Sequence, residues 1–159
     1  MRQDVGNTEE NSSINSEDEE LLREVALDPL AMRMKQYIQH GHVTTYDHCL
    51  SVARMSIRIA EGMHVRVDRK ELIWGAFLHD YYLYDWHVHG DHLHGYHHPE
   101  IAARNAGEDF RLNEKEQSII RSHMWPLTLF HAPSSREAFI VCLADKICST
   151  KETIEGRIR

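Results

Sequence analysis

The stretch "LIWGAFLHD", residues 72–80, reads as the end of a helix with a buried face. Leu72, Ile73, Ala76 and Phe77 recur at the three- and four-residue spacing that places side chains on one side of a helix, and "DRKE" just before it pairs Asp68 with Glu71 as a start signal. Two polar residues, His79 and Asp80, then prolong the apolar face. Burying such groups without partners costs kilocalories each, so the end of this helix raises the question of what satisfies them.

The same periodicity runs through most of the chain from Leu21 onward, and no segment alternates strictly as a half-buried strand would. The expected fold is therefore all-α, a bundle of about six helices over residues 20–40, 45–62, 69–79, 99–107, 114–124 and 135–150. Thr44 with Asp47, Asn113 with Glu116 and Ser134 with Glu137 supply further starts, and Pro99 suits a first helical position. Residues 1–20, rich in Asp, Glu, Asn and Ser, form an acidic leader expected to be disordered, and residues 21–159 form one domain. A chain of 159 residues with 42% hydrophobic residues is long enough to enclose one core.

Composition narrows the partners. The formal charge is −7, and no stripe of Lys or Arg is available to neutralise a nucleic-acid duplex. Three cysteines, Cys49, Cys142 and Cys148, show no CxxC spacing, which fits free thiols in a reducing compartment, and the short apolar runs span no bilayer. The reading is a cytoplasmic protein that engages neither membrane nor duplex.

Five helices bring a His or Asp to an apolar face. His48 lies in line with Val52, Met55 and Ile59; His98 precedes Ile101 and Ala102, so that its neighbour His97 points elsewhere; His123 follows Ile119 and Ile120. Asp145 falls on the stripe of Ala138, Val141, Cys142 and Cys148 with no basic residue at helical spacing to pair with it. One inward histidine is ordinarily a hydrogen-bonded core residue, but a buried carboxylate needs a counter-charge, N–H donors or a metal. A shared metal centre accounts for all five with one assumption. Imidazoles and carboxylates without thiolates suit Fe, Mn, Co, Ni or Zn.

In this order and context, His48 in "TTYDHCLSVARMSIRIA", His79-Asp80 in "LIWGAFLHD" and Asp145 in "IVCLADKICS" resemble the HD superfamily of metal-dependent phosphohydrolases, from about Thr44 to Thr150. The resemblance implies an HD-type helical bundle and one or two divalent transition-metal ions, Fe or Mn ahead of Zn, Ni and Co. His98 in "HHPEIAARNA" and His123 in "IIRSHMWPL" look like the additional ligands of two-metal members. By that resemblance His48, His79 and Asp145 would hold one ion, His98 and His123 the other, and Asp80 would bridge and accept a hydrogen bond from the nucleophile. Lys146 would lie near a phosphate or screen Asp145. The implied activity is hydrolysis of a phosphomonoester, phosphodiester or pyrophosphate bond in a small phosphorylated substrate, a nucleotide first among them; the alternative is a non-catalytic metal-binding or ligand-sensing module. The oligomeric state is open, with a homodimer allowed. The sequence departs from HD-GYP phosphodiesterases, with Met124 where they pair a second His, and Leu83 stands where a Lys often follows the His-Asp pair.

The segment "YYLYDWHVHGDHLHGYHH" between His79-Asp80 and Pro99 reads as a cover. Tyr81, Tyr82, Tyr84 and Trp86 either pack or stack on a base, while His87, His89 and His92 are solvated; His94 and His97 flank the proposed ligand His98.

Overall fold

Helix starts are where the sequence is most explicit, and four of them organise the computed structural model, in which residues 14–88 and 92–158 are described. The Asn15 side chain caps α1 (Ser16–Ala26), Thr44 caps α2 (Thr45–Gly62), Asp68 caps α3 (Arg69–Leu78), and Asn113 closes a full capping box with Glu116 on α5 (Glu114–Ser122). Each such cap contributes about 1 kcal/mol by satisfying an amide that the helix itself leaves open. Between them lies α4 (His94–Phe110), and the chain ends on the long α6 (Arg136–Ile158). The bundle is all-α apart from one small hairpin, and among the described residues no helix is long and apolar enough to cross a membrane.

Helix α3 is the axis of the bundle. Leu72, Ile73, Ala76, Phe77 and Leu78 are fully buried, and α1, α2, α5 and α6 pack around them. Burying a side chain of this size contributes roughly 1.5–3 kcal/mol, so this one helix anchors much of the core. Arg69 at its start pairs with the buried Asp18 of α1 at 2.8 Å. One core cluster joins residues from Leu22 to Cys148.

Several boundaries differ from the sequence reading. The expected helix over 20–40 is broken: α1 stops at Ala26, a 3₁₀ turn follows at Ala31–Gln36, and β1 (Ile38–His40) pairs antiparallel with β2 (Val43–Thr44). Pro29 is the reason, since it lacks an N–H and forces Asp28 out of helical backbone, while the Asp28 side chain accepts instead from the Leu30 amide. Gly41, at φ +56°, then reverses the chain between the strands. The acidic leader expected over 1–20 lies outside the described residues up to 13, and α1 begins within it, at Ser16. Helix α4 starts five residues early because the Leu93 carbonyl accepts from Tyr96 and His97, which leaves Pro99 in the second turn rather than at the first position. Ser135, not Ser134, bonds the Ala138 amide at the start of α6, and Glu137 accepts instead from the Asp68 amide across the bundle.

Gly75 marks the closest approach of α3 to α5. A Cβ there would lie 2.7 Å from Ile119 Cγ2 and 3.1 Å from its Cβ, both inside the fully buried core. Gly75→Ala is therefore expected to destabilise the protein by about 1–3 kcal/mol through overpacking, although Ala is by itself the better helix former by about 1 kcal/mol. Urea denaturation of the variant checks this, and an unchanged or higher midpoint contradicts the close approach.

Candidate metal centre

Six side chains that the sequence places on five different segments meet at one point. His48 comes from the second turn of α2, His79 and Asp80 from the end of α3, His98 from α4, His123 from the residue that ends α5, and Asp145 from the middle of α6. All six are buried. His97, one residue from His98, is exposed, as the helical spacing requires.

The four histidines are committed in the same way. His79 Nδ1 lies 2.7 Å from the Ala76 carbonyl, His98 Nδ1 2.9 Å from the His94 carbonyl, and His123 Nδ1 2.7 Å from the Ile120 carbonyl. A carbonyl only accepts, so each Nδ1 must carry a proton, which leaves Nε2 as the ring atom able to take a cation. His48 follows the same rule with a carboxylate, Glu152 Oε2, at 2.8 Å from its Nδ1. All four Nε2 atoms face inward, toward Asp80 and Asp145.

Around Asp80 they divide into two sets. Its Oδ2 lies 3.3 Å from His79 Nε2 and 3.8 Å from His48 Nε2, while Asp145 Oδ1 closes this side at 3.1 Å from His48 Nε2 and 3.5 Å from His79 Nε2. Its Oδ1 lies 3.1 Å from His98 Nε2 and 3.4 Å from His123 Nε2. Despite these approaches, His79 Nε2 and Asp80 Oδ1 are buried without a well-formed hydrogen bond. Across the second set, His98 Nε2 and His123 Nε2 stand 2.9 Å apart with both Nδ1 protons already used, so two lone pairs oppose each other unless a proton or cation lies between. These orphaned and opposed atoms fit a cation site. The residues His48, His79 and Asp145 form one group able to hold an ion, and His79, Asp80 and His123 another.

Charge follows this geometry. Burial opposes ionisation of Asp80, but His79 and the hydrogen-bonding His123 and His98 hold its carboxyl well below the usual carboxylate range. Asp145 is depressed likewise, with His48 and His79 outweighing burial. Burial works against charge on His48 too, yet Asp145 and Glu152 push it up to about 10, and His79 is raised well above its ordinary value against burial by Asp80. His123 goes the other way: burial lowers it in spite of Asp80.

The cluster forms the floor of a cavity of about 680 Å³, with Trp86, Met124 and Leu127 on its walls and Lys146 at its side. Lys146 Nζ donates to the His123 carbonyl at 3.2 Å and the Cys142 carbonyl at 3.4 Å, and among the described residues it makes no ion pair with Asp145. Arg121 is tied to Glu100 and Glu114, outside the cavity lining. In the cover, Tyr81 and Tyr82 are core residues, and Trp86 stacks on His87 at 3.9 Å and on His94 at 5.0 Å while lining the cavity. His94 in turn stacks on His98 at 4.5 Å. His87 and His92 are exposed, and His89 lies outside the described residues.

Three contributors were missed in the sequence. Gln39 of β1 donates to Asp80 Oδ2 at 2.6 Å and accepts from the Tyr82 hydroxyl; Glu152 holds His48; Ser149 donates to Asp145 Oδ1 at 3.2 Å. Asp145, Ser149 and Glu152 share one face of α6 at spacings of four and three, a signal that was available. Gln39 had none, because it lies in the segment misread as helix.

The bundle thus gathers four histidines and two aspartates from separate helices into one buried cluster able to hold metal ions. The sequence model of the HD domain matches residues 45–150, and this chain belongs to the HD domain family, whose members are mostly metal-dependent hydrolases. No curated protein and no solved structure gives a match.

Proton linkage follows from the charge pattern. Cations at the Nε2 atoms displace the protons that His48 and His79 hold near neutrality, so metal loading should release protons, and apparent affinity should fall by up to about tenfold per displaced proton for each pH unit on acidification. Calorimetry in buffers of different ionisation enthalpy reads this directly, and equal heats in all buffers would count against it. In the metal-free protein the raised His48 pKa stabilises the fold fully below about pH 6.5 and ceases to do so as pH rises through about 10. The melting temperature under chelation is accordingly expected to be lower at pH 9.5 than at pH 6.5.

Proposed function

We propose that this protein is a metal-dependent phosphohydrolase acting on a small phosphate ester, with a nucleotide as the favoured substrate. The observation that carries this reading is Asp80, whose two oxygens each face a separate set of Nε2 lone pairs at the base of an open cavity. In this reading His48, His79 and Asp145 would hold one divalent ion and His98 and His123 a second, with Asp80 shared between them. Nitrogen and carboxylate donors without a thiolate favour Fe or Mn, with Zn, Ni and Co also accommodated. When bound, such ions acidify water enough to serve as nucleophile near neutral pH and neutralise charge on the phosphoryl group.

The chain's own residues supply the rest. Gln39 fixes the Asp80 carboxylate by a donated hydrogen bond, which leaves Asp80 Oδ1 to accept from an attacking water. Lys146, anchored beside His123 on the cavity wall, places a positive charge where a phosphoryl oxygen would sit. Met124, Leu127 and the edge of Trp86 offer apolar surface to the organic part of the substrate and exclude water from it. A cavity of about 680 Å³ opening onto the cluster supports turnover over a closed metal store.

The test is a panel of phosphomonoesters, phosphodiesters and nucleotides offered to Mn- or Fe-loaded protein. Hydrolysis should vanish on chelation and fall by at least about 100-fold in Asp80→Asn, which keeps the shape but removes the charge between the two sets. Lys146→Met should raise KM by about tenfold with a smaller effect on kcat if its role is phosphate binding. Metal-loaded protein that cleaves nothing on the panel would sink the proposal.

A further inference from the structure

The two halves of the cluster are not supported alike. His79, His98 and His123 give their Nδ1 protons to neutral backbone carbonyls, but His48 gives its proton to a carboxylate, Glu152, whose side chain is itself nine-tenths buried. The half that contains His48 also has Asp145, on which Ser149 donates, and the Asp80 oxygen that Gln39 holds. The half that contains His98 and His123 has the other Asp80 oxygen and, among the described residues, no carboxylate of its own. Glu152 and Gln39 both lie outside residues 45–150, the part of the chain that matches the HD domain.

From this asymmetry we infer that Glu152 is a positioning residue that makes the two ion sites unequal, a tight one at His48, His79 and Asp145 and a weaker, exchangeable one at His98 and His123. The inference rests on the two-ion reading above. Its physical basis is threefold. A carboxylate acceptor locks His48 as the Nδ1–H tautomer and fixes the ring plane, so no reorientation is needed when Nε2 takes a ligand. It also draws charge onto the imidazole and raises the basicity of Nε2, which a neutral carbonyl does much less. Finally, among the described residues, the first site counts three side chains and one Asp80 oxygen against two side chains and one oxygen at the second, with an additional buried anion behind the first.

Glu152 could instead be a ligand, since His40, His48 and Glu152 bring one donor atom each within reach of a common ion. The geometry favours the supporting role. His48 has only two ring nitrogens, and its Nε2 already faces Asp145 and Asp80, so a further ion on Nδ1 would require a doubly deprotonated ring.

The experiment is a Mn²⁺ titration of metal-free full-length protein, with bound ion counted by loss of the free-ion EPR signal, on wild type, Glu152→Gln and Glu155→Gln. Glu155 is an exposed acid on the same helix and controls for loss of a charge. Wild type should bind in two separable steps. Glu152→Gln should weaken the tight step by about 10- to 100-fold and leave the weak step within about threefold, while Glu155→Gln follows wild type. In wild-type apoprotein and holoprotein alike, nitrogen NMR should show Nδ1 of His48 protonated and hydrogen-bonded to a carboxylate, and in Glu152→Gln the Nδ1–H signal should lose that shift. An isotherm for Glu152→Gln that superposes on wild type overturns the inference alone, as does a single step in wild type, equal weakening of both steps, or loss of a third bound ion. Wild type that binds no ion at all overturns the two-ion reading itself.

Discussion

Everything in this molecule depends on the cost of holding the Asp80 carboxylate away from water. It lies at the end of the most deeply buried helix, with its side chain only 2% exposed, and an uncompensated anion there would cost more than the surrounding apolar contacts return. The answer is a ring of imidazoles whose outer nitrogens are tied off first. Because each Nδ1 proton is spent on an acceptor outside the cluster, every inner nitrogen is left with the same requirement, an electrophile, and a single carboxylate is shared among them. The helices are then arranged around this convergence. Three of the Nδ1 acceptors are carbonyls three or four residues earlier in the same chain segment, so the tautomer of His79, His98 and His123 is set by local backbone and survives any modest shift of one helix against another.

How much of this was legible follows from the range of the interactions involved. All six inward residues could be read from helical spacing and the HD pattern, because these polar positions interrupt an apolar stripe and the interruption is local. The caps at Thr44, Asp68 and Asn113 were legible for the same reason. What failed were places where one residue overrode the pattern around it: Pro29 divided a long periodic stretch, and the Leu93 carbonyl extended α4 past a proline that read as a start. Gln39 was invisible in a stronger sense, since its importance lies in a partner 41 residues away, whereas Glu152 could have been read from its place in line with Asp145 and Ser149. Aromatics in the cover were open between packing and ligand stacking; Tyr81 and Tyr82 are core residues, while Trp86 stacks on His87 and His94 and lines the cavity.

The cover and the cluster are one mechanical unit. Trp86, His94 and His98 form a stack of rings, and the last ring carries an inward Nε2 while its Nδ1 is bonded to the His94 backbone. Tyr84 bonds the His94 side chain at 2.7 Å. Trp86 and Tyr84 are thereby linked through His94 to His98, which belongs to the half of the cluster that, among the described residues, has no carboxylate of its own.

The close approach of α3 to α5 has a meaning for the cluster as well as for packing. Gly75 and Ile119 touch one helical turn before His79 and His123, four residues in each case, and the two imidazoles stand with centroids 4.8 Å apart. The missing side chain at position 75 works as a caliper: it sets how near the two helix ends can come and so fixes the span between the halves of the cluster. Any volume added at that contact would be read out one turn later as a change in the spacing of ligands, which makes an interior glycine with no polar atom of its own part of the metric of the site.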